Sequence, residues 1–224
     1  MSDEREAPVN PRFGDLLAIA HRPLCDAAPR LPPSMLAAAG PLAAELVELL
    51  QARNGFYAFG PALHILPSQS SDRSWGLVDW NMPGLWKHEY AEFVDPGFCF
   101  AEDVFGNQFS IKAGTVHHFA VETGTLKPVA ASLAKWASIV LADDRKWTGW
   151  PFAQRWKEQH GAIPLHQRLH PVVPFVCGGS YGNDNLRPID AAESMVSWGQ
   201  FAQRARDLPD GARIKLVFRP ENPG

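Results

Sequence analysis

Residues 94–131 read VDPGFCFAEDVFGNQFSIKAGTVHHFAVETGTLKPVAA, and this run decides the fold. Four short stretches are separated by Gly106-Asn107, Gly114-Thr115 and Glu122-Thr123-Gly124-Thr125, which supply the positive φ angles that tight hairpins demand. Within the stretches bulky residues alternate with others: Phe98, Phe100 and Glu102; Phe109, Ile111 and Ala113; Val116, His118 and Ala120. A period of two with one apolar face predicts an antiparallel meander packed on helices. No residue in it is arranged for chemistry, so function is to be sought on a surface.

Outward from the meander the pattern turns helical on both sides. Upstream, residues 1–12 are polar and read as a disordered tail. Phe13 to Ala20 reads as a short helix ended by Pro23, and a loop runs through Pro29-Arg30-Leu31-Pro32-Pro33. Pro41 then takes the first-turn position of a helix whose Leu42, Ala43, Leu46, Val47, Leu49 and Leu50 recur at i, i+3, i+4 spacing until Asn54-Gly55 stops it. Gly55 to Pro67 reads as two strands around Gly60-Pro61, and Trp75 to Val78 as another.

Downstream, Ser132 to Asp143 and Pro151 to His160 read as helices, Pro171 to Cys177 as a strand, and Leu186 to Ile189 as a brief strand. Asp190, with Glu193 three residues on, caps a last helix carrying Met195, Trp198, Ala202 and Ala205 on one stripe. A Pro209-Asp210-Gly211 turn and a closing strand Arg213–Phe218 follow. A sheet block between helical flanks predicts an α+β fold, one domain over 13–220 with a central, mostly antiparallel sheet.

Composition narrows the function classes. With 224 residues, 46% hydrophobic and 20% charged, the chain can bury a sizeable core. Eight Trp and thirteen Phe make that core aromatic, each buried one contributing roughly 1.5–3 kcal/mol. A net charge of -3 argues against a nucleic-acid binder, which needs a basic stripe. Three cysteines, Cys25, Cys99 and Cys177, lack paired spacing, so no zinc ribbon or thioredoxin-like motif is expected. The charged amino terminus lacks a signal-peptide core, and no apolar run is expected to approach the ~18 residues of a membrane helix. The expectation is a reduced, cytoplasmic protein without a membrane partner.

Three constellations invite a chemical reading, and each has a plainer one. His160, His166 and His170 have metal-like spacing, but Gly161, Pro164 and Pro171 interrupt it and no carboxylate or cysteine stands where it would complete a set. The neighbours His117 and His118 point to opposite faces of a strand. Gly178-Gly179-Ser180-Tyr181-Gly182-Asn183 follows a strand as a phosphate loop would, yet no helix start comes after it and no P-loop lysine is present. Glu102-Asp103 could act as acid or base; the plainer reading is a solvated strand end with Asp103 shaping the turn. No G-x-S-x-G nucleophile is present. The expectation is no catalytic set, no cofactor and no metal; an enzyme using the histidines at 160–170 is the outlying alternative.

The tryptophans give the one functional signal. Trp75, Trp80 and Trp86 occupy a stretch of weak periodicity, while Trp147 and Trp150 flank a Thr148-Gly149 loop. Loop tryptophans are enriched at binding hot spots, and the alternative is that they cap the aromatic core. With Glu89, Glu92, Asp143 and Asp144 they form the expected footprint of a protein partner.

An ordered series of residues carries a resemblance. Leu31-Pro32-Pro33 leads into the amphipathic helix, followed by Asn54-Gly55-Phe56-Tyr57-Ala58-Phe59 and Ala62-Leu63-His64. Phe100-Ala101-Glu102-Asp103 and Phe105-Gly106-Asn107-Gln108-Phe109 come next, then Pro174-Phe175-Val176-Cys177-Gly178-Gly179, Asn185-Leu186 and Asp207-Leu208-Pro209-Asp210-Gly211. From about Leu31 to Phe218 the chain resembles the bacterial SUKH superfamily, the Smi/Knr-type domain. The resemblance implies a compact α+β domain and, for most bacterial members, an immunity protein that binds and neutralises a toxin. It implies no shared catalytic residues. Members outside toxin systems make a regulatory or scaffold module with a cellular partner the alternative.

Overall fold

The computed structural model describes residues 12–209. The expected tail over residues 1–12, the Pro209-Asp210-Gly211 turn and the closing strand Arg213–Phe218 lie outside the described residues or at their edge.

The meander forms as its turns dictate. β3 (Phe98–Asp103), β4 (Gln108–Lys112), β5 (Thr115–Ala120) and β6 (Thr125–Ala130) pair consecutively and antiparallel, with Gly106, Gly114 and Gly124 all at positive φ in the connections. β1 (Phe56–Ala58) and β2 (Leu63–Ile65) extend this into a six-stranded sheet in the order β1 to β6. A second sheet is the hairpin β7 (Gln167–Pro171) with β8 (Leu186–Asp190).

The expectation of one apolar face fails at the centre of the sheet. Every residue of β3 is buried, because helices cover both faces. On one side Trp136 of α5 (Leu133–Ala142) meets the rings of Phe100 and Phe109 at 4.9 and 5.2 Å. On the other, Gln108 of β4 meets Trp80 of α4 (Leu77–Trp80) and Met195 of α8 (Ala191–Ala205). A bulge between Cys99 and Ala101 lets β3 serve both sides, and the Asn81 side chain pins it by accepting from Cys99 N and donating to Cys99 O at 2.8 and 2.7 Å.

Helix caps follow the sequence. Ser132 caps α5 by accepting from Lys135 N, and Asp190 caps α8 by accepting from Ala192 N and Glu193 N. The expected Phe13 helix is α1 (Gly14–Ala18), and Ala20 bridges to Ala58 instead of continuing it. Pro41 lies in a 3-10 turn, Gly40–Leu42, that feeds α3 (Ala43–Ala52).

Several expectations are corrected. Trp75–Val78 is no strand: β2 is already paired on both edges, so the segment turns into α4. The strand expected over Pro171–Cys177 ends at Pro171, and Phe175–Cys177 is a 3-10 turn, since Pro171 and Pro174 offer no N–H to a ladder. α2 (Pro33–Ala39) fills a segment for which no element was expected, α6 (Asp144–Thr148) stands where loop was read, and α7 (Trp150–His160) matches its helix. Pro33–Ala52, 20 residues, is also long and apolar enough to cross a membrane, contrary to the expectation; it is broken at Gly40-Pro41 and buries Leu42, Leu46, Leu49 and Leu50 in the core.

At the sheet edge β6 is the most exposed strand, with Thr125, Lys127 and Pro128 all outward. A smaller apolar cluster around Val104, Phe105, Trp156, Leu169 and Leu186 joins the β7–β8 hairpin and α7 to the main body.

Candidate functional site

The tryptophans expected to form one footprint are split. Trp80 and Trp86 have no exposed surface, so neither can meet a partner. Their indoles are consumed inside: Trp80 Nε1 donates to Gln108 Oε1 at 2.8 Å and Trp86 Nε1 to Trp80 O at 3.0 Å. Burial is what amphipathic indoles do when an acceptor lies in reach. Trp75 leans on Trp80, and Trp147 packs between Phe109 and His118; both are half-buried. Trp150 belongs to the smaller cluster.

Asp143, Asp144 and Glu89 serve local structure. Asp143 caps α6 through Lys146 N, Asp144 lies in the first turn of that helix, and Glu89 accepts from Gln200 of α8. Glu92 is exposed, with no hydrogen bond or ion pair among the described residues. The histidines at 160–170 separate as well. His160 stacks on Trp156, His166 bonds Asp72 O, and His170 stacks on Trp198 at 4.2 Å with Ser194 Oγ 2.9 Å from its Nδ1. Among the described residues no group of three or more His, Cys, Asp or Glu could hold a metal.

Glu102-Asp103 is not a solvated strand end. Both side chains are buried, and Asp103 shapes the turn by accepting from Phe105 N, Asn107 N and Asn107 Nδ2 at 2.8–2.9 Å. Burial outweighs those bonds and pushes its carboxyl up to about 7. Glu102 instead meets Arg168, which β7 brings across 66 residues of sequence, and His64 on β2.

Proton positions in this junction follow from its acceptors. Ser74 donates its hydroxyl proton to Trp75 O, so its oxygen accepts from His64 Nε2–H at 2.9 Å. His64 Nδ1 is then bare and accepts from the Arg168 amino group, whose other proton goes to Glu102 Oε1. The imidazole is neutral: burial, with the Arg168 charge adding, lowers its pKa to about 4. Burial alone would raise Glu102, but the Arg168 charge, with the bond from Gln108, holds it down to about 2. Arg168 lies over the Tyr57 ring at 5.5 Å, and Tyr57 stacks on His64 at 4.5 Å. Among the described residues the Tyr57 hydroxyl and Arg168 Nε find no hydrogen-bond partner. Arg168 and Glu102 are 2% and 1% exposed, so this charged pair holds the hairpin to the sheet and is closed to a substrate.

The surface that the fold does present is aromatic. Between β7 and β8, residues 172–185 form a loop in which the rings of Phe175 and Tyr181 stack at 4.0 Å and 12°. Phe152 of α7 lies 5.2 Å from Tyr181, and Phe105 supports both Phe152 and Phe175 from beneath at 5.6 and 5.1 Å. Tyr181 and the adjacent Val176 are 49% and 56% exposed. Arg155 covers the Phe152 ring at 4.7 Å and donates to Tyr181 O at 3.2 Å.

Backbone bonds fix this platform. The Glu122 carboxylate accepts from Phe175 N and Val176 N at 3.0 and 2.9 Å. Asn185 spans the loop, accepting from Val173 N and donating to Val173 O and Ser180 O. Gly179 is required here: a Cβ on it would lie 1.9 Å from Val173 O. The glycines that looked like a phosphate loop therefore shape an aromatic shelf. Phe152, Phe175, Val176 and Tyr181 escaped the sequence reading, although apolar residues set among Gly and Pro were their signal.

No protein-family model and no curated protein sequence matches the chain. A solved structure does: the crystal structure of Atu4351 from Agrobacterium tumefaciens is similar over 84% of this chain and 88% of that one, with a TM-score of 0.53 and 13% sequence identity. That likeness is one of fold, a sheet with flanking helices.

Proposed function

We propose that this chain is a binding protein that neutralises a toxin domain in the cytosol by occluding it, in the manner of SUKH immunity proteins. The observation that carries the reading is the exposed Phe175–Tyr181 stack, held rigid by Glu122 and Asn185. An aromatic anchor that is ordered before it meets its partner loses little rotamer entropy on binding. The surrounding shelf would form the centre of an interface of roughly 1,200–2,000 Å², the size at which specific complexes become stable. Arg155 at its rim suits an acidic group on the partner, in place of the acidic footprint expected from the sequence.

The test uses the full chain and the product of the adjacent reading frame. Titration calorimetry should give a one-to-one complex, and co-expression should protect cells from that product. Tyr181→Ala should weaken binding by about 30-fold, the hot-spot range of 2 kcal/mol or more. Unaltered binding by that variant removes the platform from the interface. A housekeeping partner on the same surface would point instead to the scaffold reading.

A further inference from the structure

A concave site lies away from the platform, between α2 and the β3–β4 pair. It encloses about 350 Å³, within the range of small-molecule sites, which starts near 300 Å³. Its apolar wall is made by Met35, Ala38, Phe98 and Ile111, and Lys87, Lys112 and Asp95 stand at its rim.

The two lysines are not equivalent. Lys112 is compensated: its ammonium donates to Asp95 O at 2.7 Å and lies 3.3 Å from the Asp95 carboxylate. Asp95 is committed to that pair and to its own turn, accepting from Gly97 N at 2.9 Å. Lys87 is half-buried, with the Trp86 ring 5.7 Å behind its ammonium. It donates to Asn81 Oδ1 at 2.8 Å and Gly97 O at 2.6 Å, both neutral acceptors. Among the described residues it forms no ion pair, since the Asp95 carboxylate pairs with Lys112. An ammonium has three donors, so one proton remains for a ligand, and the Lys87 charge is offset only from beyond ion-pair range by Asp95. A partly desolvated cation beside an apolar wall selects an anion that carries an apolar part.

We propose that this groove binds a small aliphatic monocarboxylate, its oxygens on Lys87 Nζ and its chain along Met35, Ala38, Phe98 and Ile111. A single spare ammonium donor beside Ser34 suits a carboxylate better than a phosphate dianion, which calls for more donors. The assignment goes beyond the toxin-binding reading and stands without it.

The test is an amide chemical-shift titration of the full chain with acetate, butyrate and hexanoate. Saturable shifts are expected at Gly97, Ile111 and Ala113, tightening about threefold to fourfold per added methylene, as 0.8 kcal/mol each converts. Hexanamide, isosteric but uncharged, should bind at least tenfold more weakly. Ala38→Trp should fill the groove and abolish the response while leaving the melting temperature and any platform-dependent partner binding unchanged. Equal binding of hexanamide and hexanoate would overturn the proposal. So would shifts that never saturate, tighter binding of inorganic phosphate, or tighter binding of a peptide through its free C-terminal carboxylate.

Discussion

The Arg168 junction and the 172–185 platform lie at opposite ends of one hairpin connection and use polar groups in opposite ways. At the junction, charged side chains turn inward and satisfy one another, so Glu102 and Arg168 are spent on joining two sheets. At the platform, polar groups grip the backbone from behind and leave the aromatic rings free, as Glu122 does under Phe175 and Val176. Cohesion is thus electrostatic where it is hidden, and the face proposed for recognition is apolar.

The largest break in this contrast should come from Arg168→Met. It strands Glu102 as an unpaired buried carboxylate and should cost about 3–5 kcal/mol of unfolding free energy by urea titration. The combined variant His64→Leu, Glu102→Met, Arg168→Met should recover most of that loss, because the unpartnered Tyr57 hydroxyl and Arg168 Nε show that the ionic arrangement is incompletely satisfied. Failure of the triple variant to outlast the single one would show that the pair contributes more than its mutual compensation.

A smaller effect should appear with acid. Burial lowers His118 and His170 to about 4 from an ordinary 6.5, so both are neutral in the fold. The unfolded chain binds more protons between those values; the stability they contribute is complete above pH 6.5 and drains as pH falls toward 4. The loss should approach about 1.4 kcal/mol per pH unit for each histidine inside that window. His170→Phe, which keeps a ring against Trp198, should flatten the melting-temperature profile between pH 6.5 and 4.5 by one proton's worth. The smallest effect belongs to the platform: Val176→Asp, at a side chain already 56% exposed, should change stability by less than about 0.5 kcal/mol while abolishing partner binding.

What the sequence made legible was local. The meander was readable because glycine turns and period-two alternation sit within a few residues of each other, and the α8 cap because Asp190 precedes its helix directly. The double burial of β3 was not, since it depends on α4 and α8 arriving from distant parts of the chain. The partnership of Glu102 with Arg168 was hidden for the same reason. Trp80 and Trp86 looked like loop residues because a four-residue helix shows no period. The platform was misread as a strand, Pro171–Cys177, since Val and Phe carry β-propensity whatever the two prolines forbid.

The exposed β6 has a consequence for how copies of this protein coexist. Among the described residues its outer edge carries no further strand and could template pairing with a neighbour, yet Pro128 has no N–H and Lys127 places an exposed charge on the strand. Crowded molecules would repel there and miss a rung, which protects the sheet from growing into a polymer. Replacing both residues with Val would erase that safeguard without touching the interior.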